Sequence, residues 1–147
     1  MKSLSDILNI FSKPLDNTFW KNALLVEEAA LELGIDKVLD ELNIREGKNK
    51  VLAVYLFGSL AELQFKESYK RPPRDLDLYF WVDSVPDTYL IARIKVSVKE
   101  NCSAFGLNAH AVVSYVHPLA NEDMKICEIY CLYIHPDADL RIRKEFS

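Results

Sequence analysis

VLAVYLFGS (51–59) and RDLDLYFWV (74–82) are the two stretches on which the fold of this chain turns. Val51 to Phe57 is an unbroken apolar run rich in β-branched and aromatic residues, and Gly58-Ser59 ends it abruptly. Such a run predicts a central strand buried on both faces. From Leu60 the spacing of LAELQF becomes helical, so Gly58 and Ser59 are placed on a strand-to-helix turn whose following amides are available to an anion. The second stretch predicts another strand, from Asp75 to Val82. Side chains alternate along a strand, so Asp75 and Asp77 share one face while Leu76 and Leu78 take the other. Two neighbouring carboxylates opening an apolar strand repel each other and are costly to bury, a conflict that a divalent cation resolves.

The rest of the chain sets the bounds. Its 147 residues suit one domain with a real core, and 50% hydrophobic with 27% charged residues is ordinary globular composition. No run reaches the length of a membrane span, and MKSLSDILNIFSK (1–13) is too short and too polar for a signal peptide, so no membrane association and a cytoplasmic location are expected. A net charge of −4 argues against broad binding to a nucleic-acid backbone. The three cysteines, Cys102, Cys127 and Cys131, form no CxxC pair and read as small buried hydrophobes.

In chain order, residues 1–12 read as a short amphipathic helix ended by Pro14, and a longer helix follows from about Thr18 to Leu33, closed by Gly34 as a left-handed residue. Asp36 restarts a helix through about Leu42, with Val38, Leu39 and Leu42 inward. Beyond the first strand, Leu60 to Phe65 predicts a short helix and KESYKRPPR (66–74) a basic loop that puts Lys66, Lys70, Arg71 and Arg74 just before the two aspartates, within reach of a bound polyanion, with a merely solvated loop kept from helix by Pro72-Pro73 as the alternative. A helix is expected over Asp87 to Asn101, with Leu90, Ile94 and Val98 inward. Leu107 to Val116 reads as a third strand and Met124 to Ile134 as a fourth, pairing with the third as a hairpin; His117 and His135, each before proline, read as turn residues. The expected fold is α/β (α+β): one domain, helical over about 1–45, with a mixed sheet of about four strands over about 50–135 and helices packed on it. Whether the first two strands run parallel or antiparallel stays open at this level.

A hydrophobic strand, Gly-Ser, a short helix and then Asp-x-Asp opening a second hydrophobic strand resembles the nucleotidyltransferase superfamily of the DNA polymerase beta type, in particular its minimal single-domain members. The resemblance rests on LFGS (56–59) and DLDL (75–78), with a wider interval between them than is usual in the family. It implies that Gly58 and Ser59 hold the triphosphate of a nucleoside triphosphate, that Asp75 and Asp77 bind Mg²⁺, and that an NMP group, AMP being the expected one, passes to a hydroxyl of a protein, an RNA or a small molecule. One concrete form is an antitoxin-like transferase acting on a partner toxin. Members of this size rely on a protein partner or a second copy, so a partner or a homodimer is expected, with Tyr130 and Tyr133 as interface candidates against a core-packing alternative. The elementary chemistry agrees: Gly58 lets backbone approach a phosphate, hard carboxylate oxygens suit Mg²⁺, and Arg74 or Lys66 can neutralise charge on leaving pyrophosphate.

The family's third carboxylate has no counterpart in LNAHAVVSYV (107–116), where Asn108 and His110 share a face and no acidic residue stands between Asn101 and Asn121. His110 is the candidate general base in its place, with a hydrogen-bonded core histidine as the alternative. Glu128 on the fourth strand is a candidate substitute ligand. Two readings therefore follow: an Mg²⁺-dependent nucleotidyltransferase, or a degenerate fold that works as a nucleotide-binding or protein-interaction module without catalysis.

Overall fold

A computed structural model of the chain describes residues 31, 33–58, 75–103, 107–121, 129–138 and 140–141. The predicted helix over 1–12, most of that over about 18–33, the helix after Ser59, the basic loop and Glu128 lie outside the described residues. What is described is an α+β unit: α1 (Ile35–Leu42), β1 (Val51–Phe57), β2 (Asp75–Val82), α2 (Thr88–Asn101), β3 (Asn108–Ser114) and β4 (Tyr130–Ile134). The four strands make one mixed sheet in the order β3-β2-β1-β4.

The apolar run of β1 forms an inner strand because it has backbone partners on both sides and apolar surface on both faces, and its residues 51–56 are buried. β2 pairs with it antiparallel, Leu56 against Leu78 and Phe57 against Asp77, which settles the direction the sequence leaves open. β3 lies parallel to β2, with Asp75 opposite Asn108 and Asp77 opposite His110. β4 runs antiparallel to β1 on its other side. The expected hairpin of the third and fourth strands is therefore incorrect, since the two lie at opposite ends of the strand order. Periodicity marks both as strands, but the choice of neighbour belongs to β1, whose second edge would otherwise leave buried amides and carbonyls without partners.

The alternation of β1 and β2 divides the interior in two. Val54, Leu56, Leu76, Leu78 and Phe80 join Val38 and Leu39 of α1 and Leu90, Ile94 and Val98 of α2 in one core, while Tyr55, Tyr79, Trp81 and Cys131 build a second on the other face. Each fully buried aliphatic or aromatic side chain contributes about 1.5–3 kcal/mol. Asp87 starts α2 by accepting the Leu90 amide on its carboxylate at 2.7 Å, which satisfies a donor that the helix itself leaves unpaired. Cys102 and Cys131 are buried, and burial pushes both thiols up to about 12, in keeping with their reading as apolar fillers.

Gly34 adopts φ 83° just before α1, and a Cβ built there would overlap the backbone carbonyl oxygen of Asn101 at the end of α2. The two helices thus approach through a position without a side chain, and neither a rotamer change nor solvent can relieve the overlap. Gly34→Ala is expected to cost about 2–4 kcal/mol, combining left-handed strain with backbone displacement, as measured by urea unfolding. A loss below 1 kcal/mol would show that the helix pair does not meet there.

The end of the sheet where β1 begins and β2 and β4 finish is tied by polar contacts. Lys50 pairs with Asp83 at 3.4 Å and Asp137 at 3.1 Å, and buried His135 meets Glu46 at 2.8 Å. His135 is therefore more than the turn residue its Pro neighbour suggests: its Nδ1 accepts the Asp137 amide at 3.0 Å, and its own amide donates to the Leu52 carbonyl at 2.7 Å. Among the described residues no helix is long and apolar enough to cross a membrane.

Candidate functional site

The opposite end of the sheet collects the polar residues. Antiparallel pairing brings the last residue of β1 to the first turn of β2, and parallel pairing brings the start of β3 to the same place, so Gly58, Asp75, Asp77, Asn108 and His110 meet at one edge. Asp75 and Asp77 are partly exposed on one face, with Leu76 and Leu78 buried on the other, as the alternation requires. Asn108 and His110 are exposed on the neighbouring strand. The His110 Nε2 lies 3.5 Å from Asp75 Oδ1, an ionic rather than a good hydrogen-bonding distance.

Gly58 has φ 79°, a conformation that favours glycine, and its backbone lies directly against the Asp77 carboxylate. Ser59, Lys66 and Arg74 lie outside the described residues. Of the predicted site residues, the structure thus brings together Gly58, Asp75, Asp77 and His110.

Electrostatics at this edge follow from placement. Burial and then the neighbouring Asp75 carboxylate hold the Asp77 carboxyl above its ordinary range, with His110 pulling the other way. In part the shift reflects two hard oxygen donors placed on the same side of the sheet. That donor set fits Mg²⁺, which takes one or two protein carboxylates and completes its shell with water and phosphate oxygens. Among the described residues no three His, Cys, Asp or Glu side chains form a metal-holding group.

Toward the middle of the sheet the same face becomes aromatic. Phe57 stacks edge-on against Tyr79 at 6.4 Å, and the segment after β3 folds over Tyr55, Tyr79 and Trp81. Tyr79 donates its hydroxyl to the Val116 carbonyl at 2.6 Å, and the Trp81 indole donates to the Tyr115 carbonyl at 3.1 Å. His117 inserts between the rings: its Nε2 is hydrogen-bonded to the Tyr55 hydroxyl at 2.8 Å, and it meets Trp81 edge-on at 4.9 Å. Only 1% of His117 is exposed, and burial pulls its imidazole down to about 4. His117 does open a turn, its carbonyl accepting the Ala120 amide at 2.9 Å, but its ring also has a buried role that the turn reading does not include; the signal available in sequence was the pairing of aromatic residues at alternate positions of both strands, which demands something to cover that face.

Tyr133 is half-buried, packed on the helical core with the Arg45 guanidinium 5.5 Å above its ring, which favours the packing role over the interface role. The contact that sequence reasoning missed is that of Gly58 with Asp77, because it depends on the direction in which β2 returns. Compared with protein-family models, with curated proteins and with solved structures, the chain gives no match.

Proposed function

We propose that the chain is an Mg²⁺-dependent nucleotidyltransferase that moves an NMP group, AMP in the expected case, from a nucleoside triphosphate to an acceptor hydroxyl. The observation that supports this reading is the shared edge: a glycine turn at the end of one buried strand touches a carboxylate of the Asp-x-Asp that opens the next. Asp75 and Asp77 hold the cation, which when bound neutralises phosphate charge and pyrophosphate as it leaves. The turn at Gly58 and Ser59 positions the phosphates, and Lys66 and Arg74 supply further positive charge. His110, across from Asp77 and beside Asp75, accepts the proton as the acceptor oxygen bonds to the α-phosphorus and the bond to pyrophosphate breaks. An antitoxin-like transferase whose acceptor is a partner toxin is one form of this reading.

The second reading, a degenerate site that binds nucleotide or protein without transfer, is favoured by one specific observation: β3 faces the two aspartates with Asn108 and His110 where a third carboxylate would concentrate charge. Calorimetry with ATP and Mg²⁺, run beside an assay for pyrophosphate release with candidate protein, RNA and small-molecule acceptors, separates the two. Binding with release is the expected result. Binding without release under every acceptor selects the second reading, and no nucleotide binding removes the first reading together with the nucleotide-binding form of the second.

A further inference from the structure

We infer that Gly58 is the positioning residue for the Asp77 carboxylate, in addition to any part it plays toward phosphate. This rests on the reading of Asp75 and Asp77 as a cation site. A turn that needs only φ 79° is served by Asn nearly as well as by Gly. The surroundings of Gly58 ask for more. The volume that an L side chain would fill is already taken by the Asp77 side chain: a Cβ there would overlap Oδ2, stand 3.1 Å from Cγ and 3.3 Å from the Asp77 Cβ. Asp77 is held in that place by the ladder, since its Cα is paired with Phe57 on one side and His110 on the other. The backbone therefore cannot retreat, but the carboxylate can swing.

The consequence separates folding from binding. A methyl group at position 58 is accommodated by rotating the Asp77 carboxylate off the face it shares with Asp75, because the far end of a side chain yields more readily than a paired strand. The fold then survives with the ordinary strain of a left-handed alanine, while the two oxygen donors no longer point at one ion. Gly58 thus acts on the cation through Asp77, without touching it.

The test is Mn²⁺ binding to the nucleotide-free full chain, read by electron paramagnetic resonance and calorimetry, in the native protein, in Gly58→Ala and in Gly58→Asn. Both variants are expected to bind Mn²⁺ at least tenfold more weakly, while the Tm of Gly58→Ala falls by only about 3–5 °C, the cost of a strained backbone, and that of Gly58→Asn by less. Unchanged Mn²⁺ affinity in Gly58→Ala overturns the inference, because a glycine that serves phosphate alone does not alter cation binding without nucleotide. Should a variant fold too poorly to bind, a double-mutant cycle decides: shortening the neighbour with Asp77→Ala removes the overlap and should shrink the Tm loss caused by Gly58→Ala, whereas equal losses in both backgrounds overturn the inference. If the native protein binds no Mn²⁺, the reading of the site as a cation centre fails, and the same cycle still decides whether Gly58 sets the carboxylate.

Discussion

Asp77→Asn is expected to reduce Mg²⁺-dependent nucleotidyl transfer by at least about a hundredfold, beyond what loss of a mere outer-shell partner costs a metal site. It should at the same time make the nucleotide-free protein more stable by about 0.5–1 kcal/mol. The two effects share one origin. Burial and Asp75 together disfavour the ionised Asp77, more than His110 offsets, so the free protein carries a repulsion that a bound cation would relieve. The amide keeps the shape and removes the charge. Asp75→Asn should show the same loss of transfer. Pyrophosphate release and urea unfolding on the same preparations check the pair of signs, and full activity in both variants would remove the mechanism.

The second large effect is a loss of stability in mild acid that originates at His117. Folding lowers its imidazole from the ordinary 6.5 to about 4, because the charged form has no place between the Tyr55 and Trp81 rings. Between these values the unfolded chain binds a proton that the folded chain refuses, so stability rises with pH in this window and is lost as pH falls from about 6.5 toward 4. For this one group the loss from pH 7 to pH 5 comes to about 2 kcal/mol. His117→Gln keeps a polar partner for the Tyr55 hydroxyl and cannot take up the proton, so its unfolding free energy should vary much less over the same range. Equal pH slopes in the two proteins would place the acid sensitivity elsewhere.

Much of the architecture is legible in one chain because its signals are local. The apolar run of β1, the alternation of Asp75 to Leu78 and the stripe of Leu90, Ile94 and Val98 each follow from the period of a single element, and each is found where that period puts it. Gly34 and Gly58 both take the left-handed conformation that their positions at element ends call for. What local signals leave out is which strand neighbours which. The misplaced hairpin, the buried role of His117 and the contact of Gly58 with Asp77 are all facts about partners far apart in sequence, decided by which edges and faces had to be covered. At the candidate site, the identity of Asp75, Asp77, Gly58 and His110 could be read from residue type and order, whereas their meeting at one edge required the directions of three strands.

The antiparallel return of β2 beside β1 also bears on how this chain can change. The points at which the chain leaves β1 and enters β2 are neighbours, Phe57 and Asp77 being paired, so the length of the connection between them is not tied to any distance the sheet imposes. Doubling such an excursion costs only about 0.6 kcal/mol of closure entropy. The connection can therefore be lengthened or exchanged while the acidic pair remains anchored in a ladder that never registers the alteration.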